Sequence, residues 1–162
     1  MSKRANALAE RIEQGAEALA GLAEGLSEAE WQRVVPNEER TVAALVHHVA
    51  GACPILVDWA RGLADSKPLT GVTWEAIAQM NAQHAQEYAA AGKQETLELL
   101  RANGTVAADR VREFTDEDLD NVATVCLNWD APQSAQTFIE LYCVGHSYNH
   151  LASIRAFLNG NA

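Results

Sequence analysis

Residues 42–60 read VAALVHHVAGACPILVDWA. A helix of that composition is apolar nearly all round, and such a helix belongs deep in a core. Thr41 precedes it and the helix runs to about Gly62. Pro54 inside the run predicts a kink or a local break. His47 and His48 stand in the middle of a segment otherwise fit only for burial. An unpartnered buried polar group is costly, so a histidine there needs a hydrogen-bond partner or a metal. The two side chains leave the helix about 100° apart, so they do not serve one ion together. A nearly all-apolar helix hides its own phase, and periodicity alone leaves open which histidine faces the core.

The flanking segments are also helical in texture. Leu8, Ile12, Ala16, Leu19, Leu22 and Leu26 recur at three- and four-residue steps over residues 5–26, the apolar stripe of one helix. Ser27 with Glu30 has the spacing of a capping box opening a short turn, and Pro36-Asn37 marks a loop. Residues 64–72 read as a loop. Thr73 then caps a helix, WEAIAQMNAQHAQEYAAA, expected to stop near Gly92. Residues 94–114 are amphipathic, with Asn103-Gly104 a point of interruption. Thr115 with Asp118 suggests one more capped turn, and residues 121–133 are the least helical part. Ser134 caps the last helix, which ends at Asn159-Gly160. The fold class is all-α: long helices with short extra turns, in a helical bundle forming a single domain over residues 1–162.

The 162 residues suit one ordinary domain, large enough to fold on its own core. Twelve basic against 22 acidic side chains give a net charge of −10. That balance argues against nucleic acid and against an anionic membrane surface as partners. The chain has no uninterrupted apolar run of about 18 residues and no h-region at its start, so neither a membrane span nor a signal peptide is expected. Cys53, Cys126 and Cys143 are widely spaced without a CxxC, which fits free thiols and a cytoplasmic location.

The strongest chemical signal is His146-Ser-Tyr-Asn-His150. Side chains four apart share one helix face, with Cβ atoms about 6 Å apart, so both imidazoles reach one divalent ion. A bundle with histidines near the middle of two helices can build a three-His site, and three imidazoles leave coordination positions open. His84, Asn81 and Tyr88 share a face of their helix and are candidates to line a pocket. His84 is also a candidate proton carrier, and Tyr142 a candidate hydrogen-bonding group one turn before His146. Cys143 is a weaker candidate ligand. Glu140 and Asp58 are candidate carboxylates behind a ligating histidine. Trp59, Trp74 and Trp129 are candidates to wall an apolar cleft. Asp116-Glu117-Asp118 with Asp120 reads as a solvated turn.

Three stretches, LSEAEWQRVVPNEERTVAALVHHVAG, NAQHAQEYAAAGKQETLELLRANG and above all GHSYNHLASIRAFL, make the chain resemble the DinB-like superfamily of metal-binding four-helix bundles over residues 5–158. That superfamily includes bacterial thiol-dependent S-transferases and mycothiol-dependent maleylpyruvate isomerase. The resemblance implies metal ligands at His48, which precedes Val49-Ala50, and at His146 and His150. It implies a divalent metal (Zn, Ni, Fe or Mn), a low-molecular-weight thiol as co-substrate, and a small-molecule substrate. The activity it implies is S-transferase chemistry, with His84 or Tyr142 protonating the developing anion. Two alternatives stand beside it: a hydrolase using water at the same open position, and a non-catalytic, stress-associated metal-binding or interaction protein. Homodimers are common in this fold, and the Ala/Leu-rich first helix is a candidate interface.

Overall fold

The computed structural model describes residues 2–160. Helix α1 (Lys3–Glu24) is followed by the short α2 (Glu28–Trp31) and a two-residue hairpin, β1 (Val34–Val35) with β2 (Arg40–Thr41). Then come α3 (Val42–Ala64), α4 (Trp74–Glu87), α5 (Lys93–Arg112) and α6 (Asp116–Asp120). A second hairpin pairs β3 (Val122–Val125) antiparallel with β4 (Ala131–Ser134), Val122 opposite Ser134. The chain closes with α7 (Ala135–Phe138), a π-helical segment (Ile139–Val144) and α8 (Gly145–Leu158), consecutive pieces of one rod.

The starts of these elements follow from side-chain chemistry. Ser27 with Glu30 and Thr115 with Asp118 both form complete capping boxes. Thr41, Thr73 and Ser134 accept from the backbone N–H three residues on, each satisfying a donor the helix leaves free. The segment that lacks helical patterning, residues 121–133, forms the β3–β4 hairpin with the residues that turn it.

Helices α1 and α3 both pack along α5, and the final rod packs on α1 and α3. The stripe of α1 is consumed inside the chain: Leu8, Ile12, Ala16 and Leu19 are buried in the bundle. The α1–α5 approach is close enough that a Cβ on Gly104 would lie 3.0 Å from the Ala16 Cβ. One half of the core gathers Leu63, Phe114, Phe138 and Ile139, and the other gathers Trp31, Leu45, Leu100 and Ile154. On the last rod, Val144 belongs to the first half and Leu151 to the second, so His146 and His150 fall at the seam. By length and composition α3 is apolar enough to cross a membrane; here it is the central helix of the bundle.

Three expectations change. Helix α4 ends at Glu87 rather than near Gly92; Gly92 is instead the N-cap of α5. The intervening turn is tied down by Thr41 Oγ1 donating to the Ala89 carbonyl and Trp31 Nε1 to the Ala91 carbonyl, both at 2.8 Å. Asn103-Gly104 does not interrupt α5, and Pro54 does not break α3. These two outcomes are linked. Proline has no N–H, so the Ala50 carbonyl loses its usual helical donor. Asn103 Nδ2 supplies a replacement, donating to Ala50 O at 2.9 Å.

Asn103→Leu should therefore destabilise the protein by about 1–3 kcal/mol, because it strands a carbonyl of a buried residue. In urea denaturation, adding Pro54→Ala should recover part of that loss by restoring the backbone donor. A cost independent of residue 54 would contradict the link.

Candidate metal centre

The last rod presents His146 and His150 from a helix whose phase is set just upstream. In the π-helical segment the Gly145 N–H bonds to the Glu140 carbonyl, five residues back instead of four. A Cβ on residue 145 would crowd that same carbonyl at 3.3 Å, so glycine suits the position. The wider turn rotates everything before it relative to α8. Tyr142 accordingly packs its ring on Phe138, 4.6 Å between centroids, and joins the first half of the core. It shares no hydrogen bond or ring contact with the histidines among the described residues. Cys143 is buried near Cys53 and takes no part in the histidine cluster.

His48 of α3 meets this face. Its Nε2 lies 3.0 Å from His146 Nε2, and its ring stands edge-on to His146 and to His150. One donor atom from each of His48, His146 and His150 lies within 4.8 Å of the others. His47, one residue earlier, points elsewhere: its Nδ1 is 3.0 Å from His84 Nε2, and its ring stacks on Tyr88 at 3.7 Å. The phase of α3 thus places His48 in the cluster and His47 against α4. The His84 ring sits 5.7 Å from His48, beside the cluster rather than in it.

The carboxylate behind the cluster is neither Glu140 nor Asp58. Glu140 accepts from Gln136 Nε2 at 3.0 Å, and Asp58 pairs with Arg110 at 2.8 Å. It is Glu38, whose Oε1 accepts from His150 Nδ1 at 3.1 Å. That bond leaves His150 Nε2 as the free donor atom and fixes its tautomer. Glu38 stands in the turn of the β1–β2 hairpin, where Pro36 opens a single 3₁₀ turn and Glu39 turns the chain at φ 54°. Arg40 follows on β2, its Nη2 3.3 Å from Glu38 Oε2. Nothing in the spacing from Glu38 to His150 marks them as neighbours; only the order Pro-Asn-Glu in a turn just before the histidine helix hinted at a presented acid. The three tryptophans build no common wall. Trp129 is 92% exposed, Trp74 donates to the Leu127 carbonyl, and Trp59 packs on the core.

Electrostatically, His48 and His146 are held uncharged. Burial first, then the neighbouring His146, pushes the His48 pKa down to about 2. Burial and then His150 push His146 down to about 3. The hydrogen bond from His150 holds Glu38 below the usual carboxylate range. Three ring nitrogens that converge, two of them on rings held neutral, suit a divalent cation. Nitrogens each about 2.1 Å from one ion, at right or tetrahedral angles, stand about 3.0–3.4 Å apart. The 3.0 Å between His48 and His146 matches that, and the donor set fits Zn, Ni or Fe.

A helical bundle enclosing three convergent histidines is the class this structure defines. The chain belongs to the DinB superfamily, whose model matches residues 11–154. Two solved structures share the fold. One, described as "YfiT from Bacillus subtilis is a probable metal-dependent hydrolase with an unusual four-helix bundle topology", superposes with a TM-score of 0.76 at 17% identity, over 100% of this chain and 91% of that one. The other, described as "Sibling Lethal Factor Precursor - DfsB", gives 0.73 at 20% identity, over 99% and 98%. No curated protein matches the chain significantly.

The depressed histidines predict an acid-labile metal-free protein. An unfolded histidine protonates near 6.5, whereas folded His48 and His146 do not until about 2 and about 3. Between those values the unfolded state binds more protons, so stability is highest above about pH 6.5 and falls as pH drops, by up to about 1.4 kcal/mol per unit for each histidine. Urea denaturation of the metal-free protein across that range should show this slope, and His146→Leu should flatten it. Equal slopes would contradict the assigned environments.

Proposed function

We propose that this chain is a metal-dependent enzyme in which His48, His146 and His150 hold one divalent cation and a small nucleophile reacts beside them. The observation that carries the reading is the convergence of three imidazoles, with Glu38 behind His150. Such a cation supplies Lewis acidity, lowering the pKa of a nucleophile that enters an open coordination position.

The chain's own residues do the remaining work. Burial keeps His48 and His146 uncharged, so each ring retains a nitrogen lone pair to offer. Glu38 orients His150 through its Nδ1–H. His84, also held below its ordinary pKa by burial, stands beside the cluster with His47 on its Nε2, placed to contact the substrate. Tyr142 packs away from the histidines and is assigned no role.

The nucleophile in this reading is a low-molecular-weight thiol, as in S-transferases. This chain's cysteines do not supply it: burial raises Cys143 and pushes Cys53 up to about 11, and Cys126 packs on the first half of the core, outside the histidine cluster. The thiol ionises, releasing its proton to solvent, and its sulfur forms a bond to an electrophilic carbon of the small-molecule substrate. The leaving group departs with the bonding electron pair and takes a proton from solvent. A second reading, hydrolysis with water as the nucleophile, is favoured by the description of the Bacillus subtilis neighbour as a probable metal-dependent hydrolase.

Turnover of zinc- and nickel-loaded protein on electrophile, ester and amide panels, with and without added thiol, separates the two. Thiol-dependent product that His146→Ala abolishes supports transfer; product without thiol supports hydrolysis. No turnover in either arm would contradict an enzymatic role. Glu38→Gln should weaken zinc binding by about 10- to 100-fold, measured by competition with a chelator.

A further inference from the structure

Three buried side-chain polar atoms lack a hydrogen-bond partner among the described residues, and two of them, Arg40 Nη1 and His84 Nδ1, border the histidine cluster. The third, Gln133 Oε1, is on strand β4. A buried polar group left unpaired calls for an explanation, and a charged one most of all. Arg40 is largely enclosed, its side chain 11% exposed. Glu38 occupies only one edge of the guanidinium: Nε meets the Glu38 backbone carbonyl and Nη2 its carboxylate, each at a long 3.3 Å. A guanidinium has five N–H donors in a fixed fork, so the Nη1 edge remains to grip an acceptor. The Arg40 charge bears on His48, His84 and His146 alike, which places it near all three.

His84 supplies the matching donor. Its Nε2 faces His47 Nδ1 at 3.0 Å. When His47 donates in that bond, the neutral His84 ring carries its proton on Nδ1, the unpartnered atom. An anion seated there selects this tautomer.

The geometry points to an anion subsite, formed by Arg40 Nη1 and His84 Nδ1 beside the three histidines, that holds the carboxylate of a small-molecule ligand. A monoanion fits better than a dianion such as phosphate. Glu38 already offsets much of the guanidinium charge, and Glu87 lies near His47 and His84. Two donors on separate elements, β2 and α4, match the two oxygens of a carboxylate. Helix α4 carries no fully buried side chain, so parting it from α3 to admit the ligand disturbs little apolar packing. Assigning the ligand as the substrate rests on the proposed metal-dependent reaction; the subsite itself does not.

The test is calorimetric titration of propionate, and separately of inorganic phosphate, into metal-free and zinc-loaded protein, with zinc content measured in parallel. Ring nitrogen NMR reports the His84 tautomer. Expected is saturable propionate binding in both forms, about tenfold weaker in Arg40→Gln and in His84→Gln, with His84 locked as the Nδ1–H tautomer when bound. His84→Gln leaves the Arg40–Glu38–His150 chain untouched and guards against a folding defect in Arg40→Gln. Propionate binding with no zinc uptake would uphold the subsite and overturn the metal reading. Zinc uptake without saturable propionate binding, binding unchanged by both variants, or tighter binding of phosphate would overturn the subsite.

Discussion

Three imidazoles with their lone pairs turned toward one another cannot all be placed inside a protein and also be charged. Burial of His48 and His146 removes the water that would stabilise an imidazolium, and each ring would repel the next. The site therefore depends on keeping His48 and His146 neutral while orienting all three rings, and the surrounding structure does both. The seam between the two halves of the core gives His146 and His150 an enclosed place. The π-helical segment before Gly145 sets the phase in which they emerge. The β1–β2 hairpin brings Glu38 to His150 across 112 residues of chain.

The bundle and most of its caps were legible in local sequence, because capping boxes and apolar stripes are local codes. Ser27 with Glu30, Thr115 with Asp118, and the stripe from Leu8 to Leu19 all did what their spacing implied. The his-x-x-x-his pair in α8 was legible for the same reason. What local spacing could not convey was compensation at a distance. Pro54 alone argues for a break in α3; the amide of Asn103, on another helix, removes the penalty. The choice between His47 and His48 was hidden by a helix apolar on every side. Local sequence does not distinguish Glu38 from Glu140 and Asp58, since a π turn and a hairpin, neither with a strong sequence signature, decide which carboxylate arrives.

Fold and site carry different information here. At 17% and 20% identity, the two solved neighbours share an architecture. What is particular to this chain is the lining of the histidine cluster, which includes an enclosed guanidinium and the His47–His84–Tyr88 stack. In the proposed reaction the sulfur nucleophile arrives with a ligand, since Cys53 and Cys143 stay protonated in the core and Cys126 lies outside the histidine cluster.

The most direct test of the central claim is elemental mass spectrometry on untagged protein, comparing wild type with His48→Ala, His47→Ala and His146→Ala. The account predicts about one divalent metal per chain, lost in His48→Ala and His146→Ala and retained in His47→Ala. Wild-type protein that stays metal-free after exposure to zinc, nickel and manganese, or metal that survives the loss of His48 and His146, would contradict it.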